Sequence, residues 1–122
     1  MSPIIEAPGY RAWSCTGLPV ISAPYDIDVD NVAGLSYALL TASRPGAIVL
    51  LDLTETEYCS LSACRSLAMA SQLLDAAQGE LRVICSARAL KFITLMGFHR
   101  SLRIYRSLTQ ACHTKEGCLR AA

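Results

Sequence analysis

No apolar run in this chain approaches the ~18 residues needed to cross a bilayer, although 52% of its residues are hydrophobic and its mean hydropathy is +0.35. The apolar content is largely Ala and Leu spread along the chain, which suits a buried core. The opening stretch, Met1-Ser2-Pro3-Ile4-Ile5-Glu6, lacks a charged segment followed by an apolar one. No export signal is therefore expected, and a cytoplasmic location is. Charge of one sign is missing too: 11 Lys and Arg stand against 10 Asp and Glu, a net of +1, with the basic residues scattered. That argues against binding nucleic acid through a broad positive surface. The glycines are isolated, and none forms a GxGxxG or a Walker-type loop, so dinucleotide and P-loop readings fail. His99 and His113 are the only histidines. No Ser-His-Asp or Cys-His arrangement can be argued from spacing, and there is no GxSxG elbow. Neither an enzyme nor a cofactor is expected.

At 122 residues the chain fits one domain with one continuous core. It does not need disulfide staples, so its six cysteines (Cys15, Cys59, Cys64, Cys85, Cys112 and Cys118) are read as reduced thiols. Cys59-x4-Cys64 and Cys112-His113-x4-Cys118 both lack the paired short spacing of a zinc ribbon or finger, and no metal site is expected.

Residues 1–9 hold two prolines and a glycine and read as a flexible N-terminal arm. Tyr10–Cys15 and Leu18–Ala23 are strand-like and separated by Thr16-Gly17, which predicts an antiparallel hairpin. Asp28 or Asp30 can cap a first helix with an inward stripe of Val32, Leu35, Leu39 and Leu40, ended by Arg44-Pro45-Gly46. Ala47–Leu53 is nearly continuous and apolar, as in a strand buried on both faces of a parallel sheet. Thr54–Leu61 reads as a loop whose carboxylates, Glu55 and Glu57, form a solvated edge. A second helix runs from about Ser62 to Gln78, with Cys64, Leu67, Ala68, Ser71 and Leu74 inward and Gly79 as its stop. Leu81–Cys85 is a buried strand. Ser86 caps a helix over Ala87–Met96, with Leu90, Ile93 and either Phe92 or Met96 inward, and Gly97-Phe98 closes it. His99 falls in a solvated loop. Leu102–Tyr105 is a short strand, Ser107 caps a last helix, and residues 114–122 form a tail. The order β-β-α-β-α-β-α-β-α gives an α/β domain with a mostly parallel sheet, an N-terminal antiparallel hairpin and about four helices.

Asp52 ends a buried strand, as the phosphoacceptor aspartate of a receiver domain does, with Asp26 and Asp28 as possible metal-binding partners. Only one helix and a breaker fit between Asp28 and Asp52, and that spacing rejects the receiver topology.

The segment Asp52-Leu-Thr-Glu-Thr-Glu-Tyr-Cys-Ser-Leu-Ser-Ala-Cys-Arg-Ser-Leu67 carries a resemblance. From about residue 10 to 113 the chain resembles the STAS domain family, whose small stand-alone members are anti-sigma factor antagonists. The family's signature is a buried strand ending in D-L, a short loop, then D-S-[ST]-G-L opening a helix. Leu51-Asp52-Leu53 matches the strand end and Tyr58 the loop aromatic, while Ser60-Leu61-Ser62-Ala63 falls on D-S-[ST]-G. Leu95-Met96-Gly97-Phe98 matches the later hydrophobic-Gly-hydrophobic turn, and Ile104–Ala111 the closing strand and helix. The resemblance implies a STAS-like domain over 10–113 and a partner, an anti-sigma factor with serine kinase activity. It implies phosphorylation at Ser62, with Ser60 the second candidate. The docking patch expected around it is Tyr58, Ser60, Leu61, Ser62 and Arg65, joined by Tyr25 and Asp26. Ser60, Leu61 and Ala63 depart from the family's D, S and G. Some STAS-like proteins without the phosphorylatable motif serve as constitutive subunits of a transporter's ATPase or a signalling complex, which is the rival expectation.

Overall fold

A computed structural model describes residues 9–113. The expected N-terminal arm, apart from Gly9, and the expected tail at 114–122 lie outside the described residues.

The described residues open with two short strands, β1 (Arg11–Cys15) and β2 (Leu18–Ser22), paired antiparallel with Arg11 opposite Ser22 and Cys15 opposite Leu18. Thr16 and Gly17 both have positive φ, 50° and 83°. This is the backbone a two-residue turn needs to match the right-handed twist of its strands. β1 is the exposed edge, where Trp13 Nε1 donates a 2.8 Å hydrogen bond to Ser22 Oγ.

Three further strands complete this sheet. β4 (Ile48–Leu53) pairs with β2 on one side and β6 (Glu80–Cys85) on the other, and β7 (Arg103–Tyr105) lies beyond β6. The spatial order is β1-β2-β4-β6-β7, with every pairing after the hairpin parallel. A separate two-residue pair, β3 (Asp26–Ile27) with β5 (Tyr58–Cys59), stands apart from this sheet.

Apolar residues on successive positions of β4 serve two cores, because alternate side chains leave opposite faces. Val49, Leu51 and Leu53 join Val83, Leu81 and Cys85 beneath three helices: α1 (Val32–Ala42), α2 (Leu61–Ala76) and α3 (Ala87–Leu95). Leu50 joins Val20, Ile84 and Tyr105 on the other face, covered by α4 (Leu108–His113) through Ala111 and Cys112. A parallel strand covered on both faces has no polar side to show.

Several local details differ from the sequence expectation. Asn31, not Asp28 or Asp30, precedes α1, and its side chain caps nothing. Asp28 instead organises the turn. Its carbonyl accepts from the Asn31 and Val32 amides, while its own amide donates to Asn31 Oδ1. Leu40, expected on the inward stripe, is 65% exposed, because α1 turns Leu35, Ala38 and Leu39 to the core. At the end of α2 it is Gln78, φ 67°, that takes the left-handed position, and the Gly79 amide donates to Leu74 O at 2.8 Å. Gly79 is required for a different reason: a Cβ there would lie 2.4 Å from the Ala47 carbonyl oxygen. The α3 stop follows expectation, with Gly97 at φ 81° and the Phe98 amide donating to Ile93 O.

Arg82, fully buried in β6, has no counterpart in the sequence reading. Its Nε donates to Glu80 Oε2 at 2.8 Å, its Nη1 to Ala111 O at 2.6 Å, and its guanidinium lies 5.8 Å from the Tyr105 ring centre. A buried cation persists only when paired. Here the pairing ties α4 to the sheet.

Candidate docking face at the head of the second helix

Parallel strands deliver their following loops to one end of the sheet, and that end carries the segment singled out by the sequence. After β4, Thr54–Glu57 turns sharply. Thr56 is fully buried: its Oγ1 donates to Pro24 O at 2.7 Å, its amide donates to Leu53 O, and its carbonyl accepts from Ser86 Oγ at 3.1 Å. One threonine thus joins the loop before β3, the loop after β4 and the head of α3. The Glu57 amide then donates to Tyr25 O at 2.7 Å and the Ser60 amide to Ile27 O at 2.9 Å. Asp26 lies opposite Tyr58, and Ile27 opposite Cys59. This small ladder places Tyr25 and Asp26 beside the segment that leads into α2.

The two serines occupy different environments. Ser60 is only 8% exposed, has extended backbone (φ −72°, ψ 171°), and its Oγ accepts from the Ala63 amide at 3.2 Å. That is an N-cap. Ser62, two residues on, lies in the first turn and is exposed. No acidic residue occupies that turn, so the turn itself supplies no charge against the positive end of the helix dipole. Leu61 is 45% exposed, and Arg65, one turn further, is exposed as well.

Tyr58 stands over Phe92 of α3 in an edge-to-face contact, centroids 5.2 Å apart and planes at 84°. Such a pair holds the exposed ring in one orientation. Tyr25, 64% exposed, donates from its hydroxyl to Glu57 Oε1 at 3.2 Å; the Glu57 carboxylate raises the phenol's pKa above its ordinary value. Arg88 approaches the same carboxylate at 3.7 Å, a contact between two exposed groups that adds little stability. Tyr25, Tyr58 and Leu61 are thus exposed on the β3–β5 ladder and the adjoining head of α2, where Ser62 is exposed too, its hydroxyl making no hydrogen bond among the described residues.

Beneath this surface lie Cys59, Cys64 and Cys85, all buried. Burial raises each thiol, and Cys59 and Cys85 are pushed up to about 12. Such thiols are poor nucleophiles. Among the described residues, no three His, Cys, Asp or Glu side chains converge as a metal site would require; Cys118 lies outside the described residues. His99 is exposed. Asp52 is half-buried, and its Oδ1 accepts from the Thr54 amide at 3.0 Å, which turns the chain at the strand end. A groove of about 280 Å³ between α1 and α2, lined by Leu39, Leu40, Met69 and Leu73, is largely apolar, with Ser36, Ser43 and Ser66 as its hydroxyl groups. No described helix is long and apolar enough to cross a membrane.

Sequence reasoning missed Thr56, Ser86 as a loop anchor, and Phe92 as the support of Tyr58. Thr56 sits in a run of exposed polar residues, so composition gave no sign of its burial.

No curated protein matches the sequence significantly. Among solved structures, the fold is similar to an anti-sigma factor antagonist from Mycobacterium paratuberculosis, with a TM-score of 0.74 and 20% identity over 84% of this chain and 89% of that one. It is also similar to part of the murine Solute Carrier 26 family member A9 anion transporter, with a TM-score of 0.64 and 16% identity. That match covers 84% of this chain but 18% of the transporter. A family profile described as the STAS domain matches residues 14–111.

Proposed function

Because this chain belongs to the STAS domain family, we propose that it acts as an anti-sigma factor antagonist, a binding protein of the cytoplasm and not an enzyme. Its docking patch is Tyr25, Asp26, Tyr58, Ser60, Leu61, Ser62 and Arg65. Its partner is an anti-sigma factor with serine kinase activity, bound while Ser62 is free and released once Ser62 is phosphorylated. The observation that carries the reading is an exposed serine in the first turn of a long helix, next to exposed Leu61 and following the β3–β5 ladder that carries exposed Tyr58.

The switch follows from charge and solvation. Phosphorylation adds roughly −1.5 to −2 charges. The helix terminus accepts that charge, so the fold tolerates it. A partner covering Leu61 and Tyr58 would have to strip water from the phosphate, at a cost of several kcal/mol when no cation answers it. A penalty of about 3 kcal/mol weakens binding roughly a hundredfold.

The site is tested by incubating the full chain with ATP and each histidine-kinase-like ATPase encoded in the same genome, then mapping phosphate by mass spectrometry. Label at Ser62, absent from Ser62→Ala, is expected. A Ser62→Ala protein labelled as fully as wild type would overturn the assignment and move it to Ser60 or elsewhere.

One second reading has specific support: a constitutive STAS subunit of a transporter or signalling complex. Ser60, Leu61 and Ala63 replace the family's D, S and G at the phosphorylation motif, and the fold resemblance extends to a transporter's domain. Capture of an ATPase or scaffold partner equally by wild type and Ser62→Asp would favour it.

A further inference from the structure

At the opposite end of the strands from the docking face, two cysteines far apart in sequence meet. Cys15 closes β1 beside the Thr16-Gly17 turn, and Cys112 lies in α4, 97 residues later. Their sulfurs are 2.8 Å apart, with the Cys112 thiol directed at Cys15 Sγ and its sulfur 4.0 Å from the Cys15 carbonyl. That separation is within an ångström of the ~2.05 Å of a disulfide bond. We infer that Cys15 and Cys112 are an oxidisable pair that closes to an intramolecular disulfide, fastening α4 to the β1–β2 hairpin.

Independent anchors keep both sulfurs in place. Cys15 sits in a paired strand, with Leu18 as its partner across the ladder. Cys112 follows Ala111, whose carbonyl accepts from buried Arg82, and Ala111 and Cys112 pack on Val20, Leu50, Ile84 and Tyr105. Closing the bond therefore asks for a small movement of two side chains and no rearrangement of the sheet. Access is unequal. Cys15 is half-exposed and Cys112 buried, so an oxidant meets Cys15 first. Cys59, Cys64 and Cys85, by contrast, are sealed in the other core and out of reach.

The chemistry balances with a small disulfide as oxidant. The Cys15 thiolate attacks one sulfur of glutathione disulfide and expels one glutathione thiolate, leaving a mixed disulfide on Cys15. Cys112 gives up its proton, attacks Cys15 Sγ and expels the second glutathione thiolate. Two cysteine thiols are oxidised, one small disulfide is reduced to two thiols, and the two protons end on the departing glutathiones. The new bond closes a long loop in the unfolded chain, where the entropy removed is large. The folded state should gain thermal stability, while the Tyr58–Arg65 surface at the far end of the strands keeps its shape.

The test oxidises the full chain with glutathione disulfide, maps disulfides by non-reducing peptide mass spectrometry and follows thermal unfolding. A monomer lighter by two hydrogen atoms, with residues 15 and 112 in one linked peptide, is expected. Its Tm should rise by about 10 °C or more and return on adding dithiothreitol. Cys118→Ser should keep the effect, whereas Cys15→Ser, at a half-exposed position that the fold tolerates, should abolish it. Three outcomes would overturn the pair: linkage through Cys118, disulfide-bonded dimers, or both thiols still open to alkylation after oxidation.

Discussion

The two serines at the head of α2 should separate cleanly when each is replaced, and the separation tests the geometry on which the functional reading stands. Ser60 Oγ accepts the Ala63 amide from an almost buried position. Ser60→Ala removes that acceptor and leaves a first-turn donor poorly placed to find water. Caps of this kind are worth about 1 kcal/mol, within a range of roughly 0.5–2, and low exposure puts this one in the upper half. For a domain of this size each kcal/mol shifts Tm by about 4 °C, so a fall of roughly 4–8 °C is expected. Ser62 makes no such bond. Ser62→Ala exchanges an exposed hydroxyl for the best helix former and should change stability by less than about 0.5 kcal/mol. Ser62→Asp adds a negative charge to a first turn that has none, and should stabilise by about 0.3–1 kcal/mol in low salt, less as ionic strength rises. Urea and thermal unfolding followed by circular dichroism measure all three variants. A neutral Ser60→Ala, or a Ser62→Ala loss as large as that of Ser60→Ala, would show that the roles are misassigned.

Arg82→Met should destabilise by about 2–4 kcal/mol, because it strips buried Ala111 O of a donor and leaves Glu80 with only Arg103 at 3.9 Å; proteolysis at α4 should accelerate, and cleavage unchanged from wild type would contradict the tie. Folding keeps protons on Cys59 and Cys85, whose thiols rise from 9.0 to about 12. Their contribution is therefore complete below pH 9 and lost as pH climbs toward 12. Titration monitored by circular dichroism should show unfolding in that window, later in Cys85→Ala than its lower neutral stability alone would give.

The large features were legible because each rests on a local rule with a strong signal. Ala47–Leu53 is apolar at every position but Asp52, which only a strand covered on both faces tolerates. Thr16-Gly17, Ser86 and Gly97 each mark a turn or cap by their chemistry, and each occurs where the residue type placed it. The β3–β5 pair was not legible, since two-residue strands have no period to detect and depend on a partner about 30 positions away. Leu40 fits a helical stripe as well as Leu39 does, yet the fold buries Leu39 and leaves Leu40 exposed. Gly79 was recognised as a stop but for the wrong reason: the close approach of the Ala47 carbonyl is a tertiary fact. Arg82 looked like a polar interruption of LRVIC, and nothing nearby in sequence announces the Ala111 carbonyl that meets it. At the candidate site, the helix start near Ser60 and Ser62 was readable from residue type, whereas Thr56 and Phe92 act through contacts made only in the fold.

The account is tested most directly by measuring how tightly the proposed partner, an anti-sigma factor kinase, holds the unmodified chain and the same chain carrying phosphate at Ser62. If a polypeptide covers the mouth of α2, the phosphorylated form binds at least about a hundredfold more weakly, with its fold and Tm intact. Equal affinities for the two forms would mean that the partner grips another surface, and that the hydroxyl of Ser62 governs nothing.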